Sequence, residues 1–170
     1  CEAYNFYYAG VFLIDENKEY AVLRAGRGEA GKAMIAANHK LKLGGKSMIG
    51  MAARERLARI SLDVEGEDAF FRNPHLPETR SEMALPLCTG KSCLGAVTVQ
   101  SIEGNAFSDD DIQTLQTMAD HLAIAINNAN LLKEVERTHA ELLRTKTYEA
   151  LSSATTEAIH WIGNKALPIT

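Results

Sequence analysis

The chain has 170 residues, 46% hydrophobic and 24% charged, with a formal net charge of −4. That composition suits one globular domain with a core of its own plus an appendage. No Lys/Arg run supplies the basic stripe that nucleic acid requires, and no apolar run approaches the roughly 18–20 residues of a membrane span, so neither nucleic-acid nor membrane contact is expected of this segment.

The chain opens on CEAYNFYY, which has neither the basic start nor the apolar centre of a signal peptide. Residues 6–14 are rich in aromatic and branched side chains and read as a buried strand. Asp15, Glu16, Asn17 and Lys18 form a turn, and residues 19–25 return as the second arm of a hairpin. GEAGKAMIAAN, residues 28–38, suits a short helix, and Leu41 and Leu43 alternate with lysines in a short strand. Gly44 and Gly45 break the pattern. Ser47 is placed to cap a helix running to about residue 57, with Ile49, Ala52 and Ala53 inward. Residues 59–62 form another strand, and residues 63–80 a long connection of the kind that is usually functional or disordered.

SEMALPLC then puts Met83, Leu85 and Leu87 on one face at period two. Thr89, Gly90, Lys91 and Ser92 make a turn, CLGAVTVQS resumes the strand, and IEGNAF leads into a helix. Ser108 and Asp111 have capping-box spacing, with Phe107 and Ile112 at the staple positions. From Leu115 the apolar positions run 119, 122, 126 and 129, then slip to Leu131, Val135, Thr138, Leu142 and Thr145. No proline intervenes before Pro168. Residues 108–146 as one helix would span about 55–60 Å, too long for a domain of this size to cover. A homodimer through this helix is therefore expected, and a seam weakened by Thr and Ala suits a switchable pairing. The order ββ-α-β-α-β-loop-ββ-α, with antiparallel hairpins at both ends, predicts an α+β sheet with helices packed on one side. With no initiator Met and an apolar pattern still running at Leu167 and Ile169, the chain is expected to be a piece of a longer protein.

Five motifs in this order, VFLIDENKEYAVLRAGRGE, GGKSMIGMAARERLARISLDV, LPETRSEMALPL, CLGAVTVQS and NAFSDDDIQTLQTMADHLAIAINNA, resemble a GAF domain, as found in bacterial sensor histidine kinases. The resemblance spans about residues 4–132, assigning 1–132 to the sensor domain and 133–170 to a coiled-coil linker and the start of a kinase dimerisation segment. It implies a six-stranded antiparallel sheet with helices on one face and, in members that bind a ligand, a pocket on the other face under the long loop and short helix. Ile49, Leu62, Phe70 and Phe71 would line that pocket. Arg80, Ser81 and Glu82, with Asn73 and Glu78, are the polar groups expected near its mouth; His75 is a candidate to touch a ligand or a haem, although a solvated loop His is the simpler reading. The simpler reading of Arg80 is a pairing with a neighbouring acid that pins the loop. No particular ligand or cofactor follows from the sequence.

The tail is similar to the phosphoacceptor box of histidine kinases. His160, Ile162, Asn164, Pro168 and Ile169 fit the nitrogen-regulation type, which makes His160 the candidate phosphoacceptor. Trp161 stands where that box carries an acid, and Lys165 where it usually carries proline; Glu157, one turn back, is the nearest substitute. The alternative is a helical His in a degenerate dimerisation segment. The resemblance implies a downstream kinase domain and a response regulator as partners; a fragment without an ATP-binding domain would not phosphorylate by itself.

Cys88 and Cys93 flank a four-residue turn, close enough for a redox pair, although two small strand residues in a reduced cytoplasm are the simpler reading. The five His residues, 39, 75, 121, 139 and 160, have no metal-ligand spacing, and no metal is expected. Two other functions remain open. One is a free-methionine-sulfoxide reductase of the same fold using Cys88 or Cys93, which would require a low-pKa thiolate in the pocket. The other is a ligand-free dimerisation module.

Overall fold

The computed structural model describes residues 6–68, 70–90 and 92–165, with side chains through residue 162. Six strands, β1 (Tyr8–Ile14), β2 (Tyr20–Gly26), β3 (Lys40–Lys42), β4 (Arg59–Ser61), β5 (Ser81–Thr89) and β6 (Ser92–Ser101), form one antiparallel sheet in the order β3-β2-β1-β6-β5-β4. The helices are α1 (Gly28–Ala36), α2 (Met48–Glu55) and α3 (Asp109–Lys165). The element order and the α+β class are those expected from the sequence. The chain divides into two compact units, Cys1–Asn127 and Asn128–Thr170.

Strand alternation sorts the side chains into two cores. In β1, Tyr8 and Phe12 face one side, and Ala84 of β5 and Ala96 of β6 join them in a cluster with Met34 of α1 and Met48, Ile49, Ala52 and Ala53 of α2. Met83, Leu85, Leu87 and Val99 face the other side, where Leu115, Ala119 and Ala123 of α3 cover them, with Leu122 and Ile126 half-buried alongside. Each large aliphatic side chain buried in this way contributes about 1.5–3 kcal/mol. The sheet is thus covered on both faces. α3 covers one face, and the short helix α2 lies on the pocket face as the resemblance implied, with α1 beside it.

This packing also corrects the reading of α3. The apolar positions 115, 119, 122 and 126, expected as a seam between two copies, are taken up by the sheet of their own chain. A spacing of three and four residues suits any apolar surface, and the odd-numbered face of β5 and β6 needed cover. The helix start is as predicted: Ser108 Oγ accepts from the Asp111 backbone N–H at 3.2 Å, and the Asp111 carboxylate accepts from the Ser108 backbone N–H at 3.0 Å. In the second unit α3 continues with Leu131, Val135 and Leu142 exposed.

The connection at residues 62–80 is packed down. Val64 N–H donates to the Arg80 carbonyl and Arg80 N–H to the Ser101 carbonyl, both at 2.8 Å, while Asn105 N–H reaches the Leu62 carbonyl at 2.7 Å. Both ends of the loop are therefore tied to the sheet, and Val64, Leu76 and Thr79 are buried. Among the described residues no helix is long and apolar enough to cross a membrane.

Candidate functional site

Between the sheet and the cover formed by α1, α2 and the long loop lies a cavity of about 20 Å³, room for one water-sized molecule. Tyr8 and Phe12 of β1 line its floor together with Glu82 of β5 and Thr98 and Gln100 of β6. Leu41 of β3 joins them from the sheet, and the cover and its flanking turns contribute Met34, His39, Ser47, Met48, Ile49, Phe71, Asn73 and Leu76. A second, open cleft of about 330 Å³ is lined by Phe70, Arg72, Asn73, Pro74, Leu76, Pro77 and Thr79. Asn73 and Leu76 line both, so the turn at residues 73–76 separates the inner cavity from the outer cleft.

The cover is shaped by local chain signals. Asn38, at φ +50°, ends α1 in the left-handed conformation, with His39 N–H donating back to the Met34 carbonyl at 2.9 Å. That turn brings His39 to the cavity, where its ring meets Phe12 and Phe71. Ser47 caps α2 by accepting from Gly50 N–H at 3.0 Å. In the loop, Asn73 Oδ1 accepts from His75 N–H at 3.0 Å and the Asn73 amide donates to Met34 Sδ at 2.9 Å, which fastens the 73–76 turn to α1.

Glu82 is the charged group of the cavity floor and is 3% exposed. Thr98 Oγ1 donates to its Oε1 at 2.8 Å and Gln100 Nε2 to the same oxygen at 3.2 Å. No described residue donates to Oε2. Burial pushes the carboxyl up to about 7, against the smaller opposing effect of those two hydrogen bonds. The network continues outward, since the Thr79 hydroxyl lies 2.7 Å from Gln100 Oε1 and 3.1 Å from the Leu76 carbonyl. It therefore links the wall of the outer cleft to the carboxylate. The Tyr8 hydroxyl, on a side chain 1% exposed, has no hydrogen-bond partner among the described residues, and burial holds its pKa up to about 12. Burial first, and the nearby His75 second, lower the pKa of His39.

Of the residues expected at a ligand site, Ile49, Phe71, Asn73 and Glu82 meet in the inner cavity, and Phe70 joins Asn73 in the outer cleft. Leu62, His75 and Arg80 line neither. Leu62 follows edge strand β4 and is exposed, and His75 is exposed on the 73–76 turn. Arg80 turns to Asp63, 3.9 Å away and half-exposed like itself, in keeping with the loop-pinning reading. The other lining residues, among them Tyr8, Met34, His39, Ser47, Thr98 and Gln100, were not picked out from the sequence as ligand-site residues. The isolated polar positions inside VTVQS were the available signal.

Cys88 and Cys93 are register partners at the tip of the β5–β6 hairpin and are joined as a disulfide, with Cα atoms 4.0 Å apart. The expectation of two reduced strand residues is corrected: the two-residue turn places the pair directly across the ladder, where the sulfurs meet. Neither cysteine lines the cavity. Lys91, within that turn, lies outside the described residues. His160 lies on α3 with exposed Glu157 and Trp161 near it; Pro168 and Ile169 fall outside the described residues, as does the Asn164 side chain. Among the described residues no group of three or more His, Cys, Asp or Glu side chains is arranged to hold a metal ion.

The family model described as GAF domain matches residues 1–127. The chain belongs to the GAF domain family. This GAF domain is similar in fold to the GAF domain of a phosphoenolpyruvate-protein phosphotransferase from Coxiella burnetii, at 24% identity and a TM-score of 0.68, covering 77% of each chain. It also resembles a type II free methionine-R-sulfoxide reductase from Thermoplasma acidophilum, at 21% identity and a TM-score of 0.60, over 72% of this chain and 80% of that one. A third similar structure is the second GAF domain of DevS from Mycobacterium smegmatis, at 18% identity and a TM-score of 0.60, over 75% of this chain and 85% of that one. No curated protein matches the chain.

Proposed function

We propose that this GAF domain is the cytoplasmic sensing module of a sensor histidine kinase, binding a small molecule in the cavity and passing its state through α3. The observation that carries the reading is the two-sided use of β5 and β6. Glu82, Thr98 and Gln100 face the cavity, while the alternate residues Met83, Leu85 and Val99 face α3. A ligand that moves the carboxylate moves the same backbone on which the helix rests. The energetic demand is small, since a tenfold shift between two output states requires about 1.4 kcal/mol of differential affinity. The exposed apolar residues of α3 beyond residue 128 are the surface through which a second copy would pair. In this reading residues 133–170 lead into a kinase dimerisation segment with His160 as phosphoacceptor, and a kinase domain and response regulator lie downstream.

Native mass spectrometry of the full chain, freshly isolated and taken across concentrations, tests the sensing half. A dimer carrying a discrete added mass that Glu82→Gln loses is the expected result. A monomer with no added mass at any concentration would overturn it. For the kinase half, phosphate incorporation in a longer chain that includes an ATP-binding domain should disappear in His160→Gln; unchanged incorporation would remove His160 from the pathway. The sulfoxide-reductase alternative has less support, because Cys88 and Cys93 lie at the hairpin tip and do not line the cavity.

A further inference from the structure

The acceptors and charges of the cavity constrain what it takes. Among its lining residues Glu82 is the sole carboxylate, and there is no lysine or arginine. Accepting capacity remains on Glu82 Oε2 and on the second lone pairs of Thr98 Oγ1, Ser47 Oγ, Asn73 Oδ1 and Gln100 Oε1, whereas the Tyr8 hydroxyl is packed against Gly10 and Gly26. His39, the imidazole in the lining, is held toward its neutral form. Around these groups the walls are apolar and aromatic, from Phe12, Met34, Met48, Ile49 and Phe71. An anionic headgroup would meet an acid and no cation. A neutral headgroup would leave the carboxylate uncompensated once it ionises above about pH 7. A primary ammonium carries three donors and a positive charge, and aromatic faces favour it.

Resting on the sensing reading above, we propose that the cavity receives the ammonium group of a small primary monoamine whose apolar body passes the 73–76 turn into the outer cleft. The inner cavity has room for the headgroup only, while the cleft beyond Asn73 and Leu76 is open and about 330 Å³. Binding therefore moves that turn, and the Thr79–Gln100–Glu82 hydrogen bonds carry the movement to β5 and β6. Arg72 in the outer cleft disfavours a second amino group at the far end, so a monoamine is preferred to a diamine.

Thermal unfolding of the full chain with pentylamine, 1-pentanol or pentanoate tests this, since the three probes share a body and differ in headgroup. At ten times its Kd, pentylamine should raise Tm by about 4 °C, and the other two should do nothing. Glu82→Gln should weaken the amine at least about tenfold, as loss of a charge-assisted contact does. An equal shift with pentanol, unaffected by Glu82→Gln, would overturn the ammonium assignment and leave the sensing reading standing. No shift with any probe would overturn it too, and the sensing reading would then be decided by the added mass alone.

A second measurement needs no variant. The titratable groups lining the inner cavity are Tyr8 from β1, His39 after α1 and Glu82 from β5; the loop adds Arg72 at the outer cleft and His75 beside His39, while α2 and β6 present no titratable side chain. Burial keeps Tyr8 neutral from pH 6 to pH 8 and biases His39 toward its neutral form. The amine itself stays protonated there, so its affinity should rise about tenfold from pH 6 to pH 8 as Glu82 ionises. An affinity independent of pH would overturn the proposal.

Discussion

Glu82 lies inside the protein at a cost that depends on pH. Its carboxyl titrates near 7 when folded, against an ordinary value of 4.5. Below 4.5 both folded and unfolded chains hold the proton. Between 4.5 and 7 only the folded chain does, so stability falls as pH rises through this window and then levels off. The shift corresponds to about 3 kcal/mol. The stability of Glu82→Gln relative to wild type, from urea unfolding, should therefore grow by about 3 kcal/mol between pH 4.5 and pH 7.5. The effect of exposed carboxylates such as Asp15 and Asp111 cancels in that difference; a gap that does not change with pH would show that Glu82 is not buried as described. Tyr8→Phe is the companion prediction. Removing a hydroxyl that is enclosed and without a partner should stabilise the chain by about 1 kcal/mol in the same assay, and a loss instead would mean that the hydroxyl is satisfied. These residues were hard to pick out in advance for a physical reason. The even-numbered positions of VTVQS have the pattern of a solvent face, and only the loop folded over them makes that face an interior.

At the scale of elements, the sequence was most readable where one periodicity had one use. The hairpins, the capping box at Ser108 and Asp111 and the cap at Ser47 all appear as the local chemistry predicts. It was least readable where one pattern serves two surfaces, as in α3, whose apolar spacing fits both its own sheet and a second helix. The seating of α1 was not legible at all, because it depends on backbone proximity. A Cβ on Gly31 would lie 2.3 Å from the Gly26 carbonyl carbon and 2.4 Å from its oxygen, so α1 rests on the end of β2 without a side chain between them. Gly31→Ala should lower stability by about 3 kcal/mol and disturb the cavity through Met34, measured by urea unfolding and by loss of added mass. Ser47→Ala should cost only about 1 kcal/mol, the value of one helix cap. A larger loss for Ser47→Ala than for Gly31→Ala would reverse the relative importance of the two contacts.

For the whole molecule, the two compact units make separable demands on a variant. Val135 and Leu142 are exposed in the second unit and take no part in either core of the first. In the dimer reading, changing both to Glu should weaken self-association at least about a hundredfold, at roughly 1–3 kcal/mol for each lost apolar contact. Unfolding of the first unit should be unchanged. Sedimentation velocity across concentrations checks the first outcome; association at wild-type strength would move the interface elsewhere on the chain. A different consequence follows from the parity of the central strands. In β1, in β5 before the register shift at Leu87 and Cys88, and in β6 from Ala96 onward, even-numbered side chains lie on the cavity side of the sheet and odd-numbered ones on the helix side. A chimera built by grafting only the even-numbered residues of another such domain would inherit the donor's chemical preference and retain the recipient's grip on α3. The two vocabularies are written on alternate letters of the same three strands, so either can be rewritten without retyping the other.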